Sequence, residues 1–246
     1  MNNLPKYNDF KDSLVAFIDI LGFNEKVLNI NSENDFSYIS NLLYSLQETA
    51  KNYSEDNSIF NEYEITAISD SLIISVPYNN PICTYGMLVI LHNLQYELLA
   101  TNFKTLIRGY IARGKVYHKN GFIFGEGYSK AYEGERTILG APRIVLDKII
   151  VQEGKKIIAS NKNKTNLSAF DYILEDKLDG NYFIDYLNPI GRQLGLSKIQ
   201  LLEERNSIKL FIEASLIEFS NNEKIKSKYE WLENYFYNCE KYYTLN

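Results

Sequence analysis

Two cysteines and two histidines are all that this chain's 246 residues offer for thiol or imidazole chemistry. Cys83 and Cys239 form neither a metal-ligand spacing nor a disulfide framework, and read as inert small hydrophobes in a protein of the reducing cytoplasm. A basic excess is also missing. The 26 Lys and Arg against 31 Asp and Glu leave a net charge of −5, which argues against a nucleic-acid partner. An anionic substrate would therefore need a locally positive site. No apolar run approaches membrane-spanning length, and the polar start MNNLPKYNDFKD has no signal-peptide core, so no membrane partner is expected. There is no internal repeat and no low-complexity linker, and the length suits one large domain or a domain with an appendage.

What the chain does contain is a pair of aspartates set in strand-forming apolar runs. In Ser13–Glu25 (SLVAFIDILGFNE), Val15, Phe17, Ile18 and Ile20 flank Asp19, and Gly22 frees the backbone for a sharp turn. In Ala67–Val76 (AISDSLIISV), Asp70 follows Ile68 and precedes Leu72, Ile73, Ile74 and Val76. A strand buried on both faces reads as a continuous apolar run, and an ionised carboxylate within it is costly unless compensated. Two such carboxylates side by side would repel each other. A divalent cation with hard oxygen ligands, Mg²⁺ or Mn²⁺, is the usual compensation, with a substrate triphosphate completing its shell. The blander readings are a strand-end cap for Asp19 and an Asx turn for Asp70 in Ser69-Asp70-Ser71. The two occurring together favours the metal.

Periodicity predicts the order β-α-ββ-α-β, then a short strand and further helices. The first strand covers about Leu14–Ile20. A helix opened by Asn34 or Asp35 follows, with Phe36, Ile39, Leu43, Leu46 and Ala50 on its apolar face. A hairpin spans Tyr63–Val76, a second helix Ile82–Asn102, and a long strand Lys104–His118. Phe122–Phe124 and a helix over Glu126–Arg136 complete the set. This is an α+β, ferredoxin-like or palm-type antiparallel sheet with helices on one face. Residues 1–150 form the expected core domain, and 151–246 an extension packed on it. The extension comprises the polar Gly154–Ser168, a hairpin in Phe170–Leu187 around Asp179-Gly180-Asn181, and two amphipathic helices. The last helix carries a seam of Ile225, Tyr229, Leu232, Phe236, Cys239 and Tyr243 that packs on the core or on a second copy. His92 reads as a structural histidine and His118 as exposed at a strand end, while Glu126, Glu133, Glu135 and Arg136 make a solvated helix face.

These motifs resemble the catalytic domain of class III nucleotide (adenylate and guanylate) cyclases. The family's F-x-D-I-x-G-F is matched by Phe17-Ile18-Asp19-Ile20-Leu21-Gly22-Phe23, and its second metal aspartate by Asp70, with Ser69 where Gly is usual. The R-x-G-I-x-x-G strand is similar to Arg108-Gly109-Tyr110-Ile111-Ala112-Arg113-Gly114. The G-D-x-V-N-x-A-x-R segment is echoed by Gly125–Glu133. The likeness covers about Leu14–Glu135 and has no counterpart in the C-terminal part. It implies a homodimer with active sites at the interface, converting a nucleoside triphosphate to a 3′,5′-cyclic nucleotide and pyrophosphate. Two Mg²⁺ or Mn²⁺ ions would be held by Asp19, Asp70 and the Ile20 carbonyl. The amides of Leu21, Gly22 and Phe23 would take phosphate oxygens.

The departures bear on chemistry. The family's transition-state Asn falls on Ser129, and its Arg falls on Glu133, so another cation among Arg108, Arg113, Lys115, Lys130, Arg136 and Arg143 would have to serve. Arg108 and Arg113, five residues apart on a strand, face opposite sides, so at most one serves a single site. The base-reading positions fall on Thr66 and near Phe122, neither of which matches the adenine or guanine readers. This favours a pyrimidine, and the chain is also similar to the divergent Pycsar-type uridylate and cytidylate cyclases of bacterial antiphage signalling, which implies UTP or CTP. Two rival readings are a degenerate cyclase-like module that binds a nucleotide or protein without turnover, and a palm-type polymerase or diguanylate cyclase relative. The latter lacks a G-G-D-E-F-like hairpin.

Overall fold

The structure is a computed structural model that describes residues 6–55, 62–101, 103–138, 140–153, 169–189 and 196–243. Its centre is an eight-stranded sheet in the order β2-β3-β1-β4-β6-β8-β7, with β5 pairing with β4. The strands are β1 (Lys11–Ile20), β2 (Glu64–Ile68), β3 (Ser71–Pro77), β4 (Ile107–Lys119), β5 (Phe122–Gly125), β6 (Ile144–Leu146), β7 (Ile173–Glu175) and β8 (Tyr182–Ile184). All neighbours are antiparallel except β4 and β6. The helices are α1 (Phe23–Leu28), α2 (Glu33–Glu55), α3 (Ile82–Ala100), α4 (Glu126–Thr137), a helical stretch at 148–153 (α5), α6 (Lys198–Glu218) and α7 (Glu223–Asn238).

β1 is a central strand, and its apolar run divides by parity, as a strand's side chains must. Leu14, Ala16, Ile18 and Ile20 enter the main core with Leu42 and Leu46 of α2 and Leu91 and Leu94 of α3. Val15 and Phe17 face the other side, where a smaller cluster with Ile73, Ala112, Val116 and Ala131 lies under α4. Both sheet faces are thus covered around β1, α4 adding cover on the face opposite α2 and α3. Gly114 of β4 and Gly127 of α4 allow this approach, since a Cβ on Gly114 would stand 2.8 Å from the Gly127 amide nitrogen.

The α2 face is rotated from the expected one. Leu42, rather than Leu43, is fully buried, and Phe36 is 62% exposed. Leucines at both positions fit the period, so periodicity alone does not separate them. Ser32 caps α2 by accepting the Asp35 amide at 3.1 Å, which starts the helix at Glu33 rather than at Asn34 or Asp35.

The C-terminal residues continue the sheet: β8 pairs with β6, and Phe183, Ile184, Leu232 and Phe236 belong to the main core. Buried polar groups fix this edge. Asp185 accepts from the Tyr235 and Tyr242 hydroxyls at 2.7 and 2.6 Å. Arg143, 3% exposed, pairs with Asp176 and Asp179, and Asp176 also accepts the Trp231 indole N–H at 2.8 Å. The predicted polar stretch Gly154–Ser168 lies outside the described residues. Cys83 and Cys239 are both buried. Among the described residues, no helix is long and apolar enough to cross a membrane.

Removing one member of a buried, hydrogen-bonded ion pair leaves an uncompensated charge, at a cost of about 3–5 kcal/mol. Arg143→Met is expected to lower the urea-unfolding free energy by that order, and a change within measurement error would contradict the structural role.

Candidate functional site

Asp19 is the penultimate residue of β1, and its cross-strand partners are Ser71 of β3 and Arg108 of β4. By parity it shares the α4 face with Val15 and Phe17. Asp70 occupies the β2–β3 turn, after Ser69 with its positive φ of 55°. The Asp70 carbonyl accepts the Ile20 amide at 3.1 Å, tying the bend to the end of β1. The Asp70 carboxyl stands within hydrogen-bonding reach of Asp19. The two aspartates met far apart in the sequence are therefore side by side.

Their surroundings are under-compensated. Burial, then the charges of Asp70 and Glu135, push Asp19 up to about 6, against the pull of Arg108. Arg108 Nη2 lies 3.4 Å from Asp19 Oδ2, and Nε lies 2.5 Å from Glu135 Oε1. The latter contact pairs by charge without hydrogen-bond alignment. Glu135, expected on the solvated face of its helix, is instead 4% exposed and points at the sheet. Burial raises its pKa too, with Arg108 opposing. The chain thus sets two carboxylates, Asp19 and Glu135, on one guanidinium, with Asp70 beside Asp19.

After β1, Gly22 takes φ 76° and caps α1. Of the three amides expected to bind phosphate, that of Leu21 is committed to the Leu106 carbonyl at 2.9 Å. Those of Gly22 and Phe23, at the cap and first turn of a helix, have no intrahelical acceptor.

The other candidate cations disperse. Arg113 is held by Asp12 and Glu153 and stacks 3.7 Å from the centre of the Tyr78 ring. Five residues up β4 from Arg108, it is roughly 17 Å away, on the opposite face. Lys130 pairs with Glu126, and Arg143 is the buried structural residue described above. Arg136 lies over the Tyr132 ring, beside Glu135. Ser129 is exposed, its hydroxyl donating to the Gly125 carbonyl at 3.2 Å, and Glu133 is exposed as well. Phe122 is 71% exposed on β5. Thr66 is half-buried on β2 and bonded to His118 at 2.8 Å. His118 is not the exposed residue expected of a strand end: β4 outruns β1 at Val116, and the imidazole reaches back across the sheet face and is buried. His92 is structural as expected, fully buried with Nε2 2.8 Å from the Asn188 carbonyl oxygen.

Sequence reasoning missed two residues. Glu135 looked like one more helix-surface acid, although its helix phase, one turn after Ala131, carried the signal. Lys228 of α7 is within electrostatic reach of Arg108, Glu25 and Asp19. Burial first and Arg108 second push its pKa down, and Glu25 and Asp19 oppose them. Nothing local marks that lysine, since only the fold brings it there.

Among the described residues no cluster of three or more His, Cys, Asp or Glu is arranged to hold a metal ion. The residues that fit one are the Asp19–Asp70 pair, whose mutual repulsion a cation would relieve. No family model matches the chain, and no curated protein matches it. Solved structures do. The chain is similar to the adenylyl cyclase CyaB from P. aeruginosa, at 15% identity and TM-score 0.48 over 71% of this chain and 93% of that one. It is similar to the monomeric guanylyl cyclase domain of the RhoGC fusion protein from the aquatic fungus Blastocladiella emersonii, at 16% identity and TM-score 0.49 over 71% and 95%. An adenylate/guanylate cyclase/hydrolase from Silicibacter pomeroyi matches at 15% and 0.43 over 71% and 94%.

A carboxylate whose pKa is raised in the folded state binds a proton that the unfolded chain, at 3.8, does not. Its contribution to stability is therefore full below pH 3.8 and is lost as pH rises through about 6. In the presence of chelator, Asp19→Asn is expected to raise Tm by about 2–6 °C at neutral pH. The gain should shrink as pH approaches 4, and a lower Tm at pH 7 would contradict the repulsion.

Proposed function

We propose that this protein is a nucleotide cyclase that closes a nucleoside triphosphate to its 3′,5′-cyclic nucleotide and pyrophosphate. The observation that carries the reading is the Asp19–Asp70 pair, two adjacent carboxylates at the end of a central strand without enough positive charge of their own. In the reaction the 3′-oxygen bonds to the α-phosphorus, the bridging α–β P–O bond breaks, pyrophosphate leaves and the hydroxyl proton is released. Asp19, Asp70 and the Ile20 carbonyl would hold Mg²⁺ or Mn²⁺, which would neutralise phosphate charge and lower the pKa of the 3′-hydroxyl. The amides of Gly22 and Phe23 would receive phosphate oxygens at the start of α1. Arg108, already against Asp19, is the arginine placed to meet transferring phosphate, and Lys228 adds positive charge beside it. Two copies would assemble so that Thr66 and Phe122 of one meet the base held by the other. Residues 1–150 would carry the chemistry and 151–246 would buttress it, α7 supplying Lys228.

A second reading, nucleotide binding without turnover, is favoured by Glu133, exposed where the resemblance implies an arginine, and by the two carboxylates that hold Arg108. One experiment separates the two. Purified protein is incubated with Mn²⁺ and each of ATP, GTP, CTP and UTP, and cyclic product and pyrophosphate are resolved by chromatography. A cyclic product is expected from at least one, falling by a factor of about 10³ or more in Asp19→Ala and Asp70→Ala. Binding without product would establish the second reading, and product from either variant would overturn the assignment of the aspartates.

A further inference from the structure

Glu135 is costly where it stands. It is 4% exposed, and it lies in the last turn of α4, where the helix dipole disfavours a negative charge. It also has little room to withdraw. A Cβ on the preceding Gly134 would stand 2.4 Å from Cδ1 of Tyr110, so α4 lies directly on β4 two residues along the strand from Arg108. An apolar side chain at this position would avoid both costs. What the carboxylate gains is a charge contact with Arg108, Oε1 lying 2.5 Å from Nε.

That contact sets how Arg108 meets Asp19. The two residues are direct partners across β1 and β4. A carboxylate and a guanidinium so placed can close into a two-pronged pair, with N–O distances of about 2.7–2.9 Å. They do not close. Nε and Nη2 belong to one edge of the guanidinium fork, the edge a single carboxylate would take with both oxygens. Here that edge is divided. Glu135 has Nε, and Asp19 Oδ2 stays 3.4 Å from Nη2.

We propose that Glu135 is a positioning residue: by holding Nε it keeps Arg108 from closing both prongs on Asp19, and so leaves the Asp19–Asp70 pair open to a divalent cation. The cation half rests on the reading of those aspartates given above; the division of the guanidinium does not. Without the Glu135 charge, the guanidinium turns its whole edge to Asp19 and occupies the oxygens that a cation would need. A carboxylate acting only through space would behave differently, because it needs no arginine to affect cation binding and loses little when shortened.

Two measurements separate the halves. In the presence of chelator, a double-mutant cycle of Glu135→Gln and Arg108→Met in urea unfolding reads the pair. The unfolding constant of the double variant should depart from the product of the single effects by about tenfold. Additive effects overturn the hold. Titration with Mn²⁺ alone, followed by the EPR signal of the free ion, reads the cation. Affinity should be lost in Asp19→Ala and fall by about tenfold in Glu135→Gln. It should also fall in Glu135→Asp, which keeps the charge but draws the carboxylate back by a methylene. In the Arg108→Met background, Glu135→Gln should cost less than about threefold. Wild-type affinity in Glu135→Asp, or an equal loss in both backgrounds, makes Glu135 a through-space charge and overturns its positioning role. Glu135→Asp carries that decision by itself if Arg108→Met does not fold. No Mn²⁺ binding by the wild type, or binding that survives Asp19→Ala, overturns the cation reading, and a non-additive cycle then leaves the divided guanidinium standing.

Discussion

The interaction on which the rest of the molecule turns is the repulsion between Asp19 and Asp70. Two other buried acids among the described residues are well satisfied. Asp185 receives two tyrosine hydroxyls, and Asp176 receives a buried arginine and an indole N–H. Asp19 has one arginine at 3.4 Å and two further carboxylates pressing on it. A fold able to neutralise a buried acid with its own side chains does not do so at the end of its central strand. That contrast within one molecule is what marks the Asp19–Asp70 pair as a candidate site.

The fold makes the contrast durable. β1 is paired on both sides along its length, so the Asp19 backbone has no freedom to withdraw, and the Ile20 amide clamps the Asp70 turn onto it. α4 covers the same face through the Gly114–Gly127 approach and carries Glu135 inward. The charge conflict is held by main-chain hydrogen bonds and packing, while the partner best able to respond is the flexible Arg108 side chain. Arg108 is therefore the counter-ion that the fold itself supplies to these carboxylates.

Much of this was legible in the sequence, and the limits have physical causes. The apolar runs around Asp19 and Asp70, the hairpin bend and the order of elements up to α4 depend on local periodicity and turn chemistry, and they emerge with boundaries shifted by a few residues. The opposite facing of Arg108 and Arg113 followed from strand parity alone. What stayed hidden depends on three-dimensional neighbours. Glu135 carries the same residue type as the exposed Glu133, and only the phase of α4 against the sheet tells them apart. His118 looked like a strand-end residue because nothing in sequence shows that β4 outruns β1 and returns across its face. Lys228 comes from a part of the chain with no recognised motif.

Asp19 and His118 obey opposite electrostatic logic on one sheet face. At Asp19, burial makes a charge costly and leaves much of the cost unmet. At His118, burial removes the charge, pushing the pKa down to about 4 for an imidazole set between the Ser75 and Thr66 hydroxyls. The first arrangement leaves negative charge unmet on the α4 face of the sheet. The second carries no charge, and its hydroxyls can each both donate and accept.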